Sequence, residues 1–145
     1  MIYIYATGSN DKRMSMAEDA CAFFVKRLMP RLKKLDITIE CISDLKKTEG
    51  IWGDCTWEDT NHSPRAFTIR LDSSVSYKNM IDTLAHEVVH VKQYVRGELV
   101  DLVREPQAVK WRGEIVKWSN TSDEPWEIEP EEVSTKLYRE WVSYK

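Results

Sequence analysis

The residues best suited to chemistry in this chain are two histidines and a glutamate in one short run, His86-Glu87-Val88-Val89-His90. On an α-helix, side chains four apart stack on one face, so both imidazoles can reach one metal ion. Glu87 stands one step round the helix, where it can hold a water bound to that metal. Nitrogen ligands, a coordination position left for water and a carboxylate to take its proton together make zinc chemistry. At average residue usage, three fixed residues arise by chance on the order of once in a few hundred chains of this size. The run also uses two of only three histidines.

The motif has meaning only on a helix. Between Tyr77 and Arg96 the apolar residues Ile81, Leu84, Ala85, Val88, Val91 and Val95 recur at the steps that draw one buried stripe. His86, Glu87, His90 and Gln93 lie beside that stripe, and Gly97 reads as a C-terminal stop.

A catalytic zinc site needs a third protein ligand. A last helix is expected from Pro130 to Tyr144, with Val133, Leu137 and Trp141 on its buried face. Extended backward, it puts Glu129 four before Val133 and eight before Leu137, on the buried side, where a carboxylate needs a partner. Glu129 is therefore the leading third ligand. Glu127 is the alternative, followed by His62, Asp101 or no third ligand. Glu127, Glu131 and Glu132 are read as solvated.

Elsewhere the chain reads as alternating strands and short helices. Strands are expected at Met1–Ala6, Asp36–Ile42 and Arg65–Leu71, and an irregular one within Gly50–Trp57. Ser15 and Glu18 form an S-x-x-E capping box that should open a helix carrying Ala17, Ala20, Cys21, Phe24 and Leu28, ended or kinked by Pro30. Ala108–Trp118 suggests two short strands or one bulged strand around Gly113, and Ser119–Pro125 a polar linker.

At 145 residues, 42% apolar and 31% charged, the chain fits a single globular domain spanning residues 1–145. A net charge of −3 and no basic run longer than two residues leave no electrostatic footprint for nucleic acid. No apolar run is long enough to span a bilayer, and the first residues lack the pattern of a signal peptide. Cys21, Cys41 and Cys55 form no C-x-x-C pair and read as free thiols of a reducing cytoplasm.

Phe67-Thr68-Ile69-Arg70-Leu71, then Thr83 to Tyr94 with its H-E-x-x-H core, then Trp111-x-Gly113 and Pro125-Trp126-Glu127-Ile128-Glu129 before a helix, together resemble the zincin-like zinc metallopeptidases. Among these the chain is most similar to the small SprT-like or phage-encoded peptidases. The resemblance covers about half the chain, Arg65 to Tyr138, and its specific part is H-E-x-x-H.

That resemblance implies an α+β minimal zincin, a small mixed sheet on the H-E-x-x-H helix with an N-terminal and a C-terminal helix. It implies a zinc ion held by His86, His90 and the glutamate after the final tryptophan, taken as Glu129, with Glu87 as general base. It implies a peptide or protein substrate added along the Phe67–Leu71 strand as a sheet edge. Pro130 departs from the small residue common at that place. The basic tail or zinc finger of the DNA-repair relatives is not found. Tyr94 and Tyr138 are candidate oxyanion stabilisers. The rival expectations are a metal-binding module without turnover, a DNA-associated protease of the SprT type, and a coincidental motif.

Overall fold

The computed structural model describes residues 1–104, 107–118 and 124–145. They form a mixed α+β architecture in the order β1 (Ile2–Thr7), α1 (Asp11–Leu28), β2 (Leu35–Ile42), α2 (Leu45–Glu49), β3 (Gly53–Trp57), β4 (Ala66–Asp72), α3 (Tyr77–Val95), β5 (Leu99–Asp101), β6 (Ala108–Trp111), β7 (Glu114–Lys117) and α4 (Pro125–Tyr144). The expected linker at Ser119–Pro125 lies mostly outside the described residues.

The main sheet has the order β1-β2-β4-β3, with β1, β2 and β4 parallel and β3 antiparallel to β4. Alternation sets its faces. Leu35, Ile37, Ile39 and Cys41 are buried while Asp36 and Glu40 are exposed. The register puts Ile37 beside Phe67, Ile39 beside Ile69 and Cys41 beside Leu71, so one face is a continuous apolar ladder. α1 and α3 pack on that face and α4 packs on α3.

Two expectations are corrected here. Phe67–Leu71 is not a sheet edge: β4 lies between β2 and β3, and among the described residues β3 is the outer strand beside α3. Strand adjacency is a long-range property that periodicity does not carry. The Ser15–Glu18 capping box is not used either. Asn10 caps α1, its Oδ1 accepting from Arg13 N at 2.9 Å, while Glu18 accepts from Ala6 N at 2.9 Å and ties α1 to β1. α1 ends at Leu28, just ahead of Pro30.

α3 follows the expected span closely. Ser76 caps it, its Oγ accepting from Asn79 N at 3.1 Å. Its last turn gives way at Gly97, whose φ of +71° is left-handed backbone that glycine adopts without strain. Met80, Ile81, Leu84, Ala85, Val88 and Val91 are fully buried, making α3 the central element of the main core.

A second, antiparallel sheet, β5-β6-β7, forms a small apolar cluster in which Leu99, Val109 and Trp126 are buried. Trp111 and Trp126 meet edge to face with centroids 6.3 Å apart. This cluster grips the first turn of α4, and so decides how that helix presents its acidic residues.

Candidate metal centre

His86 and His90 project from α3 into a cleft of about 610 Å³, also lined by Glu87, Cys55, Tyr94, Asp101, Trp126 and Glu127. A smaller cavity of about 400 Å³ reaches the same His86 and Glu87 past Trp52, Thr83 and Ser134. The two hollows therefore meet at the His86–Glu87 pair.

The acid facing the histidines is Glu127. Its Oε1 lies 3.0 Å from His86 Nε2 and 3.1 Å from His90 Nε2. The three donor atoms lie within 4.8 Å of one another. A tetrahedron with arms of about 2.1 Å has edges of about 3.4 Å, close to these separations. Each imidazole can donate to that one carboxylate oxygen when its Nε2 is protonated, and the same three atoms could instead hold a metal ion. Two imidazole nitrogens and one carboxylate oxygen are a donor set that could hold a divalent metal ion.

Glu129, expected as the third ligand, is elsewhere. Both its oxygens take Lys92 Nζ, at 2.8 and 2.6 Å, and Oε1 also takes Gln93 Nε2 at 3.3 Å. Glu127, expected to be solvated, is half-buried in the cleft. The cause is where α4 begins and which face it buries. The helix starts at Pro125, a residue favoured in a first turn, and buries Trp126, Pro130, Ser134, Leu137 and Trp141. Extrapolating from Val133 in steps of four drifts about 40° per step, enough to select the wrong side of that stripe. The available signal was Pro125 itself as a helix start.

The other candidates also find places. His62 is exposed in the loop before β4. The Asp101 carboxylate accepts from Trp57 Nε1 at 2.6 Å and from Tyr94 Oη at 3.2 Å. Tyr138 packs on Trp141 and does not line the cleft, whereas Tyr94 does. Glu131 and Glu132 are exposed, as expected. Cys21, Cys41 and Cys55 are free thiols, the first two buried. Among the described residues no helix is long and apolar enough to cross a membrane.

Burial shapes the electrostatics. Glu87 is 7% exposed, and desolvation lifts its carboxyl above the ordinary range against the opposing pull of His90 and His86. Burial pushes Glu127 the same way, but hydrogen bonds from His86 and His90 and their charge outweigh it and hold Glu127 well below the usual carboxylate range. The Tyr94 phenol is pushed up by burial and by the charge of Asp101, so it stays protonated and donates.

Compared with models of protein families, with curated proteins and with solved structures, this chain matches none.

Proposed function

We propose that the protein is a zinc-dependent metallopeptidase with a zincin-like arrangement, in which His86, His90 and Glu127 hold the metal and Glu87 is the general base. The observation that carries this reading is the meeting of both Nε2 atoms at one Glu127 oxygen, beside a buried Glu87 that opens on the cleft. Zinc bound there would bring the pKa of its water to about seven and polarise a scissile carbonyl. Glu87 would accept the proton from that water and pass it to the leaving amine. Its raised carboxyl pKa moves it toward that of the proton it must take.

The outer edge of β3, unpaired among the described residues, supports a peptide substrate. Asp72 N donates to Trp52 O at 2.9 Å and Glu58 N to Ala66 O at 2.8 Å, which assigns the even-numbered residues of this stretch to β4. By antiparallel alternation, the backbone N–H and C=O of Gly53, Cys55 and Trp57 turn outward. An extended peptide hydrogen-bonded there would run along the cleft wall, past His86 and Glu87. Tyr94 lines the cleft, and its hydroxyl, now donating to Asp101, could steady a developing oxyanion only by turning that hydrogen away from Asp101. The unpaired thiols fit a reducing compartment, and we assign the protein to the cytoplasm on that ground.

The test pairs metal content with hydrolysis of a quenched-fluorescence peptide library by wild type, His86→Ala and Glu87→Gln. About one zinc per chain is expected in wild type and in Glu87→Gln, none in His86→Ala, and turnover in wild type alone. Zinc without turnover on any peptide would leave a metal-binding module; no zinc after reconstitution would reduce the motif to coincidence.

A further inference from the structure

We propose that Gln93 positions the metal centre, tying the ligand on α3 to the ligand on α4, and that Pro130 creates the group Gln93 holds. This rests on the metal reading above and adds to it residues that bind no metal.

Inside a helix, the N–H of residue 130 would donate to the carbonyl of residue 126. Pro130 has no N–H, so Trp126 O is left over within α4. Trp126 is 6% exposed, and a buried carbonyl without a partner is destabilising because it has given up its hydrogen bond to water. Gln93, fully buried on α3, supplies the partner: its Nε2 donates to Trp126 O at 3.0 Å. The same nitrogen faces Glu129 Oε1 at 3.3 Å, and Glu129 is in turn held by Lys92.

Two acceptors on one side prevent the amide from turning round, so Gln93 Oε1 must point the other way, 2.9 Å from His90 Nδ1. An amide oxygen only accepts, so Nδ1 must carry the hydrogen. A neutral His90 then carries its lone pair on Nε2, the atom 3.1 Å from Glu127 Oε1, and this is the tautomer a metal requires. The carbonyl that Gln93 holds belongs to the residue just before Glu127. One side chain therefore sets the tautomer of one ligand and the placement of another. Glu129, which resembles a ligand in sequence, acts here as part of the lock on the amide.

The test uses the full chain and zinc alone, with affinity read by chelator competition. Gln93→Met should bind zinc about 10–100-fold more weakly than wild type, the range for losing a partner behind a ligand. The exchange Gln93→Glu with Glu129→Gln keeps an acceptor on His90 Nδ1 and the local charge but gives up the donor to Trp126 O, so it should recover only the part of that affinity owed to the His90 tautomer. If Gln93→Met binds as tightly as wild type, or the exchange binds as weakly as Gln93→Met, the proposal is overturned. Nuclear magnetic resonance of zinc-loaded wild type adds a check that no variant's folding can obscure. A slowly exchanging His90 Nδ1–H beside the Gln93 side chain is expected, and its absence overturns the proposal. A wild type that takes up no zinc sinks the metal reading and this role together; zinc uptake indifferent to residue 93 sinks this role alone.

Discussion

Glu129 grips Lys92 with both carboxylate oxygens, at 2.8 and 2.6 Å, only two residues along α4 from the glutamate that faces the histidines. Lys92 is 6% exposed and also reaches Glu98 at 3.1 Å, so a buried lysine joins α3, the residue just before β5 and α4. Two acids of the same type, on one helix turn, thereby divide between a buried lysine and the histidine pair.

Glu127→Ala and Glu129→Ala should therefore fail in different ways. The first should lose more zinc affinity than the about 10–100-fold that removal of an outer partner costs. The second should still bind zinc but lose about 1–3 kcal/mol of stability, because Lys92 is left buried with Glu98 alone. Zinc titration and urea unfolding of both variants check this. Equal zinc affinity in wild type and Glu127→Ala would remove Glu127 from the ligand set.

Glu87→Gln keeps shape and burial while removing the base. Zinc content should be unchanged, and turnover should fall by about 10²–10⁴-fold, the range for a general base. Single-turnover peptide hydrolysis with metal analysis reads both quantities. A Gln variant as fast as wild type would give the proton transfer to another group.

Tyr94 makes a pH prediction. Its folded pKa is raised by burial first and by Asp101 next, while the unfolded phenol titrates near 10. Between those values the folded chain keeps a proton that the unfolded chain loses. Stability from this group is thus fully present below about pH 10 and declines as pH rises further. Tyr94→Phe should flatten that alkaline decline in urea midpoints between pH 9 and 11, roughly the window around the free phenol. An unchanged slope would mean that other groups account for it.

Gly53 sits where no side chain fits. A Cβ there would lie 2.7 Å from Arg70 O and 2.8 Å from Thr83 Cγ2, backbone on one side and α3 on the other. Gly53→Ala should push β3 away from α3 and cost about 1–3 kcal/mol, as overpacking does. Thermal melts measure the cost, and zinc affinity should fall less than in Glu127→Ala. A variant as stable as wild type would show that β3 moves freely at this edge.

Much of this protein is legible along the chain. The span of α3, its stripe of Ile81, Leu84, Ala85, Val88, Val91 and Val95, and the shared face of His86 and His90 follow from a 3.6-residue repeat acting over neighbouring residues. The inner faces of β2 and β4 follow in the same way from alternation over consecutive positions. What required the tertiary structure is everything set by contact between distant segments. Glu127 rather than Glu129 faces the histidines because Trp126 docks beside Leu99 and Val109 and thereby orients the first turn of α4. The edge beside α3 is β3 rather than β4 because β4 is paired on both sides, by β2 and by β3. Local pattern could place each residue on a face of its own element. Only packing between elements decided which faces meet.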